Sequence, residues 1–188
     1  GNPWPLTLSV PVLLWIAFYS FTKRFTAACH LFLGGALAAS PLAAGIAIDP
    51  SIYASTAAAP ASTILFLSGM VVCWVAGFDV AYALQDLDFD RRTGLRSIPA
   101  RLGVNGALWS SRALHLAAMT FLVFAWRSDP RFGALMLGAV IGVGVLLVYE
   151  HLVLARRGIA GLPLAFFTLN GVISVALGIA GCVDVVVN

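Results

Sequence analysis

The sequence predicts an all-α fold: a multi-pass transmembrane bundle of about six helices. Three observations predict it. The 188 residues are 61% hydrophobic and only 10% charged, with a mean hydropathy of +0.97, whereas a soluble domain carries roughly 25% charged residues. The apolar residues fall into six separate segments, each close to the ~17–25 residues that a bilayer span needs. Finally, none of these segments shows the strict alternation of apolar and polar residues that marks the strands of a membrane barrel. Lipid is therefore the solvent around most of the chain, and residues 1–188 read as one membrane domain.

The segments follow in order. Segment A runs from about Trp4 to Ser20 and segment B from about Ala28 to Ile48. Pro41 inside B should kink that helix, because it removes a backbone donor and clashes with the preceding turn. Segment C begins near Pro60 and runs into an acidic stretch at residues 79–90. Segment D begins near Asn105, a residue suited to cap a helix, and ends at Trp126. Trp109 and Trp126 bracket it as interfacial aromatics do. Segment E covers about Phe132–Leu154, and F about Pro163–Val187. The loop Ser51–Ser62 is rich in Ala, Pro and Ser and carries no charge.

The connecting loops set orientation. Six alternating spans place the A–B, C–D and E–F loops on one side of the membrane. Lys23, Arg24, Arg91, Arg92, Arg96, Arg101, Arg156 and Arg157 lie there, and Arg112 can snorkel to the same side. Only Arg127 and Arg131 remain for the other. Cytoplasmic loops carry the excess of Lys and Arg, so the first side is cytoplasmic, as in a bacterial inner membrane.

Other function classes find no support. No dense basic run exists to track a nucleic-acid backbone. Cys29, Cys73 and Cys182 are too far apart for a zinc motif or a disulfide framework. His30, His115 and His151 are isolated and read as structural or interfacial, and no Ser-His-Asp or Cys-His arrangement emerges. The chain opens at Gly1 and enters an apolar segment by Trp4, without the charged start of a signal peptide. It reads as a chain whose natural N-terminal part is missing.

Four of the eight acidic residues lie within Asp79–Asp90. If segment C continues as one helix, each residue turns about 100° from the last. With Asp79 at zero, Tyr82 falls at about −60°, Asp86 at about −20° and Asp90 at about +20°, while Asp88 falls on the opposite face at about 180°. Three carboxylates and a phenol then share one stripe. Aligned carboxylates repel unless a cation sits among them, and Mg²⁺ fits, since it takes oxygen ligands, keeps waters and shares its shell with phosphates. The alternative is a polar helix end that binds nothing. A calcium loop is excluded: its sixth and twelfth positions would be Arg91 and Ser97 instead of Gly and Glu. Tyr19 and Lys23, four residues apart at the end of segment A, share one helical face. With Arg24 they form either a diphosphate-binding group or an interfacial tyrosine beside topogenic cations.

The run Gly77-Phe78-Asp79-x-x-Tyr82-Ala83-x-x-Asp86-x-x-x-Asp90, followed by Gly94-x-x-Ser97-Ile98-Pro99 and Leu102-Gly103, resembles the second aspartate-rich motif of the UbiA superfamily of intramembrane prenyltransferases. Tyr19-x-x-x-Lys23-Arg24 is similar to another signature of that family, in the matching order. The family has nine transmembrane helices, and the six segments here look like its fourth to ninth. Its first acidic motif, Asn/Asp-x-x-x-Asp, has no counterpart, so the chain reads as the C-terminal two-thirds of such a domain. The resemblance implies Mg²⁺-dependent transfer of a polyprenyl group from a polyprenyl diphosphate to a small aromatic acceptor. It implies Asp86 and Asp90 as metal ligands, with Asp79 binding metal-bound water or orienting the acceptor. Lys23, Arg24 and Tyr19 would clamp the diphosphate, with Arg96 and Ser97 closing over it. Tyr82 or Phe78 would face the allylic cation, and Asn170, a polar residue within segment F, is either an acceptor contact or an interhelical hydrogen bond. The local sequence looks closest to enzymes that prenylate 4-hydroxybenzoate or a dihydroxynaphthoate for ubiquinone or menaquinone synthesis. Chlorophyll-, haem- or lipid-directed transfer, a cation-coupled transporter and an inactive fragment are the alternatives.

Overall fold

A computed structural model describes residues 1–188. The chain is all-helical, and six helices are long and apolar enough to cross a membrane. They are α1 (Trp4–Thr22), α2 (Cys29–Ile48), α3 (Ala61–Tyr82), α5 (Ile98–Ser128), α6 (Ala134–Arg157) and α7 (Asn170–Val187), with a short α4 (Leu87–Thr93) between α3 and α5. A single π-helical turn, Leu164–Leu169, leads into α7.

Helix α3 is central. It packs against α2 on one side and α5 on the other. Small residues permit the close approach. A side chain at Gly34 would meet the carbonyl of Val72, and one at Gly77 would meet the imidazole of His115. The main core joins Met70 and Trp74 of α3, Ala118 and Leu122 of α5, Met136 to Leu147 of α6 and Ile173 of α7. Outward-facing residues are as apolar as the interior: Leu6, Leu116 and Val145 are more than half exposed. A lipid-facing surface requires this, because hydrocarbon has no reason to reject these side chains.

One expectation was wrong, for an identifiable reason. Segment C does not continue as one helix through the acidic stretch. Helix α3 stops at Tyr82, a tight 3₁₀ turn covers Ala83–Asp86, and α4 begins at Leu87. A 3₁₀ turn advances about 120° per residue, so four residues add roughly 80° to the α-helical phase. Asp79 is thereby turned off the line of Asp86 and Asp90, which relieves the repulsion of three aligned carboxylates. The long span of segment D starts just past a break at Gly103, next to Asn105 as expected, and a short helical turn from Ile98 precedes it. The cap of that turn is Ser97, whose hydroxyl accepts the Ala100 N–H, with Pro99 in the first turn. The helix then breaks at Gly103, at φ 71° and ψ −175°, a conformation open essentially to glycine alone.

The two ends of the bundle are tied differently. At one end the Arg96 N–H donates to the Lys23 carbonyl (2.6 Å), joining the α1–α2 and α4–α5 loops. At the other, Thr63 and Ser128 hydroxyls lie 2.8 Å apart. There the buried Asp184 carboxylate of α7 accepts the N–H groups of Gly133 and Met136, both at 2.8 Å, and so caps α6.

Candidate functional site

The acidic residues gather where the ends of α1, α3 and α4 meet the starts of α2 and α5. Lys23, one residue past α1, lies with its Nζ 3.2 Å from Asp90 Oδ2 and 3.6 Å from Asp86 Oδ2. Asp90 is buried, and its Oδ2 also accepts the Ser97 hydroxyl at 2.7 Å. Asp86 is half exposed at 49%. The pair therefore has one fixed member and one open member. Burial alone would lower the Lys23 pKa, but the hydrogen bond and charge of Asp90, with Asp86 behind it, outweigh that and hold it above the ordinary 10.5.

Asp79 takes a different partner. Its Oδ2 lies 2.6 Å from Nδ1 of His30, at the start of α2. His30 is fully buried, and its Nε2 faces the Ile98 N–H at 3.4 Å. Asp88 is exposed and lines a separate groove with Gln85 and Asn105, away from the Lys23 pairing.

The remaining candidates are distributed around this core. Arg96 donates from Nη1 to the Phe25 carbonyl at 2.9 Å, and the Ser97 hydroxyl is committed to Asp90, so both hold the loop together. Arg24 is exposed, with its guanidinium 5.3 Å from the Phe21 ring centre. Tyr19 lies one turn before Lys23 on α1, and its side chain is half-buried. Tyr82 stacks on Phe166 of the π turn at 4.2 Å, and Phe78 meets the same ring edge-on at 5.3 Å. Asn170 accepts the Trp74 indole N–H at 3.1 Å, an interhelical hydrogen bond, while its own amide nitrogen is buried and unpaired. An apolar cavity of about 530 Å³ opens beside it, between α2, α3, α6 and α7, lined by Leu67, Met70, Trp74, Met136 and Leu177.

A match to the UbiA prenyltransferase family profile extends over residues 1–172. The chain belongs to the UbiA prenyltransferase family. Among relatives, it is 29% identical over 169 residues to a 4-hydroxybenzoate octaprenyltransferase of Edwardsiella ictaluri, covering 90% of this chain and 55% of that protein. It is 35% identical over 109 residues to the mitochondrial 4-hydroxybenzoate polyprenyltransferase of Arabidopsis thaliana, covering 57% of this chain and 25% of that one. The solved structure of a UbiA homolog from Aeropyrum pernix K1 superposes with a TM-score of 0.75 at 30% identity, covering 95% of this chain and 63% of its own. The chain spans about half the length of the bacterial relatives it matches. Against this UbiA fold, the six membrane-spanning helices read from the sequence stand.

Sequence reading missed three polar residues. His30 looked isolated, because its partner Asp79 is 49 positions away. Glu150 of α6 is buried with one carboxylate oxygen unpaired, and a lone acid inside segment E was a signal for it. Asp184 of α7 was not singled out, because its partners Gly133 and Met136 are 51 and 48 positions away. His115 and His151 pair across α5 and α6 at 3.1 Å and make no hydrogen bond to the acidic cluster.

Proposed function

We propose that this chain builds a diphosphate-facing wall of an intramembrane prenyl-transfer site. The reaction moves a polyprenyl group from its diphosphate to a 4-hydroxybenzoate- or dihydroxynaphthoate-type ring, within ubiquinone or menaquinone synthesis. The observation that carries this reading is the convergence of Asp86 and Asp90 on one ammonium at a single end of an apolar bundle. Two carboxylates that already share a cation have the donor chemistry Mg²⁺ takes, one or two protein oxygens with the remaining places filled by water and phosphate. No group of three or more His, Cys, Asp or Glu side chains is arranged for a metal, and Mg²⁺ needs none. Asp86 and Asp90 would hold it, whereas Asp79 is engaged by His30. When bound, Mg²⁺ supplies neutralisation of the charge on the leaving diphosphate.

The chain's own residues do the rest. Lys23 and Arg24 bind diphosphate oxygens, Lys as a point charge and Arg through its planar fork. Tyr19 donates its phenol from the same helical face as Lys23. Ser97 and Arg96 act by fixing Asp90 and the loop beneath it. The apolar cavity by Trp74, which runs toward the Asp184 end of the bundle, takes the isoprenoid tail. Tyr82 and Phe78 present aromatic faces that favour an allylic cation, and Asn170 offers its free amide to the acceptor. The basic end of the bundle is the cytoplasmic one.

The test uses the chain in lipid nanodiscs. Geranyl diphosphate is titrated calorimetrically with and without Mg²⁺, and transfer to 4-hydroxybenzoate is followed by mass spectrometry of products. Wild type is expected to bind only with Mg²⁺. Asp86→Ala or Asp90→Ala should weaken binding by tenfold or more, and Asp88→Ala by less than about threefold. Binding that is indifferent to Mg²⁺, or equal losses at Asp88 and Asp86, would overturn the reading.

A further inference from the structure

Every backbone donor in the first turn of a helix needs an acceptor outside that helix. For Ile98, the first residue of α5, that acceptor is Nε2 of His30 at 3.4 Å. A ring nitrogen that accepts carries no proton, so in a neutral imidazole the proton sits on Nδ1, assigned here from its partners. Nδ1 then donates to Asp79 Oδ2 at 2.6 Å. The imidazole is 0% exposed, so water does not compete for either nitrogen. The adjacent residue, Ser97, binds Asp90. The start of α5 thus fixes Asp90 directly and Asp79 through His30.

Asp79 Oδ2 is committed, while Oδ1 makes no hydrogen bond within the protein, and the side chain keeps 25% exposure. A phenolic acceptor can donate its hydroxyl to such an oxygen. That hydrogen bond to an ionised carboxylate pushes electron density into the ring carbons ortho to the hydroxyl. In 4-hydroxybenzoate the para position is already occupied, so an ortho carbon is where an electrophilic prenyl group adds.

We propose that His30 is a positioning residue of the acceptor side of the site: as a neutral Nδ1–H imidazole clamped by the start of α5, it holds Asp79 with one oxygen turned to the acceptor's hydroxyl. The acceptor role rests on the prenyl-transfer reading above, whereas the clamp itself does not.

Two measurements test it. The first is ¹⁵N NMR of histidine-labelled protein in nanodiscs at neutral pH. With only three histidines, the His30 signals are those lost in His30→Gln. They should show the neutral Nδ1–H form and move in Asp79→Asn. An Nε2–H form, an imidazolium, or no response to Asp79→Asn would overturn the clamp. The second compares titrations of 4-hydroxybenzoate and of geranyl diphosphate with Mg²⁺. His30→Phe should weaken 4-hydroxybenzoate tenfold or more and the diphosphate less than twofold, and His30→Gln, which can still donate to Asp79, should recover most of the loss. Equal loss of both ligands, or no recovery by Gln, would reduce His30 to a packing residue. If wild type binds no diphosphate, the prenyl-transfer reading fails, and the NMR result alone judges the clamp.

Discussion

At the scale of single residues, burial decides what each charge is worth. Asp90 is 1% exposed and satisfied by both Lys23 and Ser97. Removing either partner leaves a buried carboxylate with one partner instead of two, which costs more than a surface ion pair gives. Ser97→Ala loses that bond and the α5 cap together, and should destabilise by about 2 kcal/mol, read as a lowered thermal midpoint in detergent. Serine-sized Ser97→Cys should not restore it, because a thiol is a weak donor. Lys23 supplies a pH test. Its pKa in the folded chain lies above 10.5, and a group raised on folding stabilises fully below its unfolded pKa. That contribution disappears as pH climbs through the folded value. Wild type should therefore lose its stability advantage over Lys23→Met only above about pH 10, in thermal melts taken from pH 7 to 11. An advantage that faded between pH 7 and 9 would contradict the pairing.

At the scale of elements, the breaks matter more than the helices. The 3₁₀ turn at Ala83–Asp86 sorts the carboxylates into two groups, one against Lys23 and one against His30. Gly103 does the same for α5, separating the Ile98–Leu102 turn from the long membrane span. A Cβ at Gly103 would meet nothing closer than an Arg91 nitrogen at 3.7 Å, so space is not the constraint and the backbone conformation is. Gly103→Ala should cost about 1–3 kcal/mol, and should also weaken Mg²⁺-dependent diphosphate binding because the start of α5 carries Ser97. Asp184 presents a different case. It caps α6 with two hydrogen bonds at 2.8 Å, at the end of the bundle away from Lys23. Asp184→Ala should lower stability by roughly 2 kcal/mol or more, while leaving diphosphate affinity unchanged once the protein is folded.

At the scale of the whole molecule, orientation follows from charge. Lys23 and Arg96, in the loops joined by their backbone hydrogen bond, lie at the end of the bundle with the acidic cluster. The bias of Lys and Arg toward cytoplasmic loops predicts that this end faces the cytoplasm. In a background with Cys29, Cys73 and Cys182 replaced by alanine, a cysteine placed at Ser51 to Ser55 should react with an impermeant maleimide from outside the cell. A cysteine at Arg91 to Thr93 should react only after permeabilisation. The reverse pattern would turn the bundle over and place the site on the outer face.

The sequence by itself determined the class of fold. Hydropathy needs no tertiary information, because a span is defined by its length in lipid. It also put Asp86 and Asp90 on one face and Asp88 on the other, since helical phase over four residues is local. What only the tertiary structure decided lies at helix ends and across long separations. The pairing of His30 with Asp79, of Lys23 with Asp90 and of Asp184 with the start of α6 joins residues 48 to 67 positions apart, and no periodicity encodes such a contact. The span that starts near Asn105 was legible, whereas the short Ile98–Leu102 turn before it was not. That turn is set by Ser97, which caps it and donates to Asp90, and the backbone break at Gly103 divides it from the span. Local propensity names the residues able to cap or pair, and the packing of α2, α3 and α5 selects which of them do.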